Sequence, residues 1–303
     1  MVPGIDPRVD YAFKKVFGSE ANVPVLADLL NALLKPARPL VDLQLINPFN
    51  EKDAADDKLS ILDIKARDDL GQHFNVEMQL FGSHIHLQRI LYYWAVLHGE
   101  QLREGDNYTK LRTTISIAIV NSVLFPDVPD YHLDFQLRSS RHPQLVFSSQ
   151  QSMHLLELPK FQLSADELTD PLDVWCYFLT HGAELDGAQL PKILQTPMVQ
   201  RAMEVLDMLS KSDVERERYQ ARLKWERDQT AFIDEARAEG LKEGLKEGLK
   251  EGSEKGELIG RIHLCEKMLK LPATPKGELG ALRLEELQHK AKALEAQLGV
   301  APE

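Results

Sequence analysis

The sequence predicts an α/β fold: a central sheet covered by helices, followed by a helical tail. Three observations carry this. Residues 112–123 hold Ile115, Ile117, Ile119 and Val120 among small Thr, Ser and Ala residues, the pattern of a strand buried on both faces and so of a sheet with helices on each side. Phe74, Val76, Met78 and Leu80 alternate with Asn75, Glu77, Gln79 and Phe81, the period-two mark of a strand with one apolar face. Beyond Phe161 the composition turns helical, with charged segments and recurring leucines.

Each element follows from local chemistry. Asp6-Pro7 marks a first helix with proline at its first position, stopped at Gly18. A second helix, Val23 to Leu34, ends before Pro36. A strand over Leu40–Ile46 precedes a hairpin whose first arm runs from Leu59 to Ala66. A helix from His84 to Leu102 places Leu87, Ile90, Leu91, Trp94 and Leu97 on one face. After the buried strand, shorter strands are expected at Tyr131–Leu137, Leu145–Phe147 and Met153–Leu158. Capping boxes at Ser164-Ala-Asp-Glu167 and Ser212-Asp-Val-Glu215 mark two helix starts, and Trp175, Phe178 and Leu179 suit a helix packed back on the core.

Four segments result: an α/β domain over 1–160, a helical extension over 161–239, a Gly-x-x-x repeat over 240–260 and a helical segment over 261–303. In the repeat, glycine recurs at 240, 244, 248, 252, 256 and 260. Each interior glycine costs a helix ~1 kcal/mol relative to alanine, so the stretch reads either as a solvated linker or as a helix whose small face admits a second helix. The last segment, with Pro272 and Pro275 breaking it, reads as short amphipathic helices through which the chain forms a homo-oligomer.

Composition excludes several classes. The 303 residues, 43% hydrophobic, suffice for one good core. No apolar run approaches the ~20 residues of a bilayer span, and Met1-Val-Pro-Gly-Ile-Asp6 lacks the pattern of a secretory signal. The two cysteines, Cys176 and Cys265, are far apart, which indicates neither a disulfide framework nor a zinc site. A cytoplasmic protein with no membrane partner is expected. The net charge of −11 argues against binding driven by neutralisation of nucleic-acid phosphates, so any such binding is expected to be weak and strongly salt-dependent. No Gly-rich phosphate loop, nucleotide fingerprint or Ser/His/Asp pattern is present.

The hairpin carries the chemistry. Its loop, Asp69-Leu70-Gly71, has glycine where a type I turn followed by a bulge requires positive φ. Counting outward pairs Asp68 with Gln72, Ile64 with Val76 and Asp63 with Glu77, whereas a two-residue Leu70-Gly71 turn would oppose Asp63 to Met78 on the wrong face. Directly opposed carboxylates have Cβ atoms ~5 Å apart and repel unless a cation lies between them. A hard divalent ion held by one or two carboxylates, water and substrate phosphate oxygens suits such a pair; the other reading is a solvated acidic face.

An Asp on one strand and Glu-x-Gln on the next, flanked by helices, resembles the PD-(D/E)XK nuclease superfamily. More narrowly, the chain resembles the recombination-promoting nucleases of the Rpn family, also described as transposases. The matching stretches are Asp10-Tyr-Ala-Phe-Lys14-Lys-Val-Phe-Gly18, Ile61-Leu-Asp63-Ile-Lys65, Val76-Glu77-Met-Gln79, Gln88-Arg89-Ile-Leu-Tyr-Tyr93 and Gly105-Asp-Asn-Tyr108-Thr-Lys-Leu111. The resemblance implies a restriction-endonuclease-like core and a metal-dependent DNA endonuclease that promotes recombination or belongs to mobile elements. It implies a catalytic set of Asp63, Glu77 and Gln79, a divalent ion (Mg²⁺ ahead of Mn²⁺ or Ca²⁺) on Asp63 and Glu77 with Asp10 as a further ligand, and DNA as partner. Lys14, one helical turn on from Asp10, and Gln88 and Arg89, which follow the Glu77 strand, are the candidate substrate contacts. Gln79 departs from the superfamily's usual Lys, offering only a neutral amide to orient water. The alternative from another class is a silent nuclease fold that acts as an assembly module through its tail.

Overall fold

The computed structural model describes residues 2–47, 63–80 and 85–299, with the side chains of Asp63, Ile85, His86, Ile233 and Arg237 outside the described set. Its contacts divide the chain into two compact units, Met1–Asp228 and Gln229–Glu303.

In the first unit, α1 (Asp10–Phe17) and α2 (Val23–Leu34) precede β1 (Gln44–Leu45), β2 (Asp63–Arg67), β3 (His73–Gln79), α3 (Ile85–Gly99), β4 (Thr114–Val120), β5 (His132–Phe135) and β6 (Gln151–Glu157). The strands form one mixed six-stranded sheet in the order β1-β2-β3-β4-β6-β5. β3, β4 and β6 are parallel, and β1, β2 and β5 run antiparallel to their neighbours. All seven residues of β4 are buried, as a central strand with both faces covered requires.

The two faces bury different chemistry. Ile64, Phe74, Val76, Met78, Ile115, Ile117, Ile119 and Leu156 join the main core with α1, α2, α4 (Pro171–His181) and α5 (Pro197–Lys211). On the opposite face, Ile90 of α3 packs with Ala118, Val120, Leu124 and Leu155. The polar residues of β3, Asn75, Glu77 and Gln79, share this second face by strand alternation. Trp94 of α3 donates to the Thr114 carbonyl at 2.9 Å and stacks on His98, whose Nδ1 lies 2.9 Å from Thr114 Oγ1, anchoring the helix to β4.

Several boundaries differ from the sequence expectations. The first helix begins at Asp10, not at Pro7, because the Asp6 carboxylate is taken up by Arg8, accepting from its backbone N–H at 2.9 Å and from its guanidinium. Only half of the Ser164 box forms: Glu167 accepts from Ser164 N at 2.9 Å, but Ser164 Oγ donates to the same carboxylate at 2.6 Å while Glu167 N–H goes to the Ser164 carbonyl, closing a turn. Pro171 disfavours helical geometry at Asp170, so the helix starts afresh there, with Asp170 as its cap. The strand at 40–46 shortens to Gln44–Leu45, and 145–147 contributes only the bridge Arg138↔Val146. Residues 59–62 of the expected hairpin arm lie outside the described residues. Helices α4 and α5 share the main core with the sheet, so residues 161–228 belong to the same compact unit as the strands.

A single helix, α6 (Asp213–Met268), contains the whole Gly-x-x-x stretch; a Cβ built at any of its glycines from 240 to 260 would meet nothing within 4 Å among the described residues. Within the second unit, Leu258, Ile262 and Cys265 pack with Leu279 of α7 (Lys276–Ala281) and with Leu287, Ala291 and Leu294 of α8 (Leu284–Gln297). Arg261 reaches Glu295 at 2.6 Å. Among the described residues no helix is long and apolar enough to cross a membrane.

Candidate active site

The β2–β3 hairpin is built by its loop. Asp68 Oδ1 accepts from Leu70 N at 3.0 Å and Gln72 N at 2.7 Å, and the Asp68 carbonyl accepts from Gly71 N at 3.1 Å. Gly71 has φ +81°, and a Cβ there would stand 3.2 Å from Arg112 Cγ. The resulting register pairs Asp63 with Glu77, Ile64 with Val76 and Lys65 with Asn75, as the loop count requires.

Glu77 is 2% exposed, on the sheet face covered by α3. Gln79 Nε2 donates to its Oε1 at 2.6 Å, and Arg89 Nη2 pairs with the same oxygen. Arg89 in turn lies 5.7 Å from the Tyr93 ring centroid. A charge this deep is tolerated only when paired and hydrogen-bonded, and both conditions are met by residues two and twelve positions downstream. Asn75, two residues before Glu77 on the same strand, is 1% exposed, and among the described residues neither Oδ1 nor Nδ2 has a hydrogen-bond partner. Burial lowers the pKa of both His73 and His98, so these neighbours bring no positive charge at neutral pH.

Asp63 and Glu77 thus stand as direct cross-strand partners, with Glu77 on a helix-covered face and an amide-bearing residue two beyond it on the same strand. A model of the PD-(D/E)XK nuclease family transposases matches residues 7–236. The chain belongs to this family. The match runs from α1 through the first part of α6, well over half of the chain, and agrees with the mixed sheet and flanking helices. Comparisons with curated proteins and with solved structures find no match.

For this PD-(D/E)XK family member, the structure brings Glu77, Gln79 and Arg89 together and sets Asp63 opposite Glu77. Arg89, expected against substrate, is engaged by Glu77. Gln88 is exposed on α3. Asp10 and Lys14 are buried together: Asp10 pairs with Lys14 at 3.4 Å and with Arg222 of α6 at 3.1 Å, and its backbone N–H donates to Glu226 at 3.2 Å. Burial raises the Asp10 pKa against the pull of Lys14 and Arg222, and burial followed by the Asp10 charge pushes Glu226 up to about 7. Nearby, Glu215 receives Tyr11 Oη at 2.9 Å and Lys15 at 3.0 Å. Arg222, Glu226 and Glu215 were invisible to motif reading, since their spacing suits any exposed charged helix and their partners lie some two hundred residues upstream. Among the described residues no group of three or more His, Cys, Asp and Glu side chains could hold a metal.

Proposed function

We propose that this PD-(D/E)XK family member is a metal-dependent DNA endonuclease that hydrolyses phosphodiester bonds in recombination or in the movement of mobile elements. The observation that supports it is the Asp63↔Glu77 cross-strand pairing, with Glu77 buried beneath α3. Asp63 and Glu77 would hold the divalent ion, Mg²⁺ before Mn²⁺ or Ca²⁺. When bound, such an ion lowers the pKa of water and stabilises charge on the phosphate. Gln79 and Arg89 keep the Glu77 carboxylate in one orientation, the supporting role on which metal ligands depend. Membership among transposases favours DNA as substrate.

Self-association through the C-terminal helices belongs to the same reading. Leu241, Leu245 and Leu249 recur every fourth residue of α6 and are 76%, 65% and 68% exposed, an apolar row that a second copy would cover. Sedimentation of the purified chain, with Leu245→Glu as control, tests this part.

The enzymatic reading is tested by plasmid cleavage at low salt in Mg²⁺, Mn²⁺ and Ca²⁺, comparing wild type with Asp63→Ala. Nicking by wild type alone is expected. Equal activity of the two proteins would remove this site from the chemistry, and silence of both in every ion would leave the fold as an assembly module.

A further inference from the structure

Position 79 supplies no cation, and its amide donor is spent on Glu77 at 2.6 Å. Arg89 is spent on the same carboxylate oxygen. A site that cuts a phosphodiester gains most from positive charge aimed where negative charge develops, so the question is which group remains for that task.

Lys65 meets the requirement. It lies on β2 two residues from Asp63, and therefore on the same face, directly opposite Asn75 and diagonal to Glu77. Diagonal neighbours across an antiparallel pair are ~7–8 Å apart, within reach of a lysine chain. Its side chain is half-buried, and among the described residues its ammonium makes no ion pair. The second observation is independent. Asn75 is 1% exposed with both amide atoms unbonded among the described residues, although buried side-chain amides are nearly always satisfied. Lys65 and Asn75 are thus direct cross-strand partners, two pairs along the ladder from Asp63↔Glu77.

The geometry points to a phosphate subsite made by Lys65 and Asn75: Lys65 is the catalytic cation of this nuclease, carried on β2 in place of a lysine at position 79. This rests on the proposed nuclease reading of the same site. The Lys65 ammonium faces a non-bridging oxygen of the scissile phosphate, and Asn75 Nδ2 donates to a second one while Oδ1 accepts from the attacking water. Water adds to phosphorus as the bond to the leaving oxygen breaks. The water gives up its proton to solvent, the leaving oxygen takes one, and Lys65 keeps its own throughout. Position 79 can then be glutamine because it serves Glu77 rather than the phosphate.

The test uses the full chain and two readouts, cleavage in Mg²⁺ and equilibrium binding of a labelled short DNA duplex in Ca²⁺ at low salt. Variants are Lys65→Gln, Lys65→Arg, Asn75→Ala and the double variant Lys65→Gln/Gln79→Lys, each first checked by thermal melting with and without Mg²⁺. Lys65→Gln is expected to lose cleavage about 100-fold and to bind duplex about tenfold more weakly, with the Mg²⁺-induced rise in melting temperature unchanged. Lys65→Arg should keep most activity, and the double variant should regain part of what Lys65→Gln loses. Cleavage and binding by Lys65→Gln within threefold of wild type would overturn the inference, as would loss of its Mg²⁺ response, which would mark Lys65 as structural. Duplex binding that depends on Lys65 in a chain that cuts nothing would keep the subsite and sink the nuclease reading. A wild type that neither binds nor cuts duplex would overturn both.

Discussion

Gln79 and Glu77, two residues apart on β3, are joined side chain to side chain, Nε2 to Oε1 at 2.6 Å. Arg89 reaches the same oxygen from α3. The carboxylate is therefore aimed by two donors from two different elements, and removing either should loosen it. Arg89→Ala is expected to lower cleavage and metal affinity by about 10–100-fold, the usual cost of losing a group that orients a ligand. Single-turnover cleavage across a Mg²⁺ titration measures both, and an unchanged Mg²⁺ midpoint would contradict the supporting role.

The Arg222 guanidinium sits between Asp10 at 3.1 Å and Glu226 at 3.5 Å and stacks 4.3 Å from the Trp225 ring centroid. Arg222→Ala removes one partner of a buried pair, which typically costs about 3–5 kcal/mol. Because Lys14 still faces Asp10, the lower end of that range is expected in urea unfolding. A loss under about 1 kcal/mol, the scale of a surface ion pair, would show that the cluster is energetically superficial.

Gly71 adopts a φ of +81° and faces the Arg112 stem. Gly71→Val combines a left-handed backbone with a crowded Cβ and is expected to destabilise by about 1–3 kcal/mol. Asn tolerates this conformation better, so Gly71→Asn should melt closer to wild type. Equal melting temperatures for all three proteins would count against the turn as the element that sets the register.

His154 is pushed down to about 4 by burial first and then by His132, with Asp134 opposing. Its Nδ1 lies 3.1 Å from His132 Nε2, and its Nε2 lies 3.0 Å from Ser152 Oγ. As pH falls from the ordinary value of 6.5 towards 4, the unfolded chain takes up a proton that the folded one refuses, so stability falls. Above 6.5 this contribution is absent. His154→Gln should flatten the dependence in that window while His132, also lowered by burial, leaves some slope. Denaturant midpoints between pH 4 and 7 check it, and identical slopes would rule the pair out.

Rules acting over a few residues made part of the fold legible. The three-residue loop with glycine last determined which residues of β2 and β3 meet, and hence that Asp63 faces Glu77. Apolar runs with proline and glycine stops marked α2 to the residue and the central position of β4. The errors arose where a local signal met a competing partner. Asp6 looked like a helix cap, but Arg8 takes its carboxylate and its backbone N–H donates to Tyr219 Oη at 3.0 Å. The box at Ser164 looked like a helix start, but Pro171 resets the chain seven residues on.

By itself, then, the sequence determined the sheet class, the hairpin register and the residue types that stand face to face, because strand alternation and turn geometry depend only on neighbours in the chain. Only the tertiary structure decided what those residues touch. It placed Arg89 on Glu77, left the Asn75 amide unbonded among the described residues, and brought Arg222 and Glu226 of α6 onto Asp10. Such pairings are set by which surfaces pack together once the core forms, and a charged residue carries no mark of whether its partner will be water or a residue two hundred positions away.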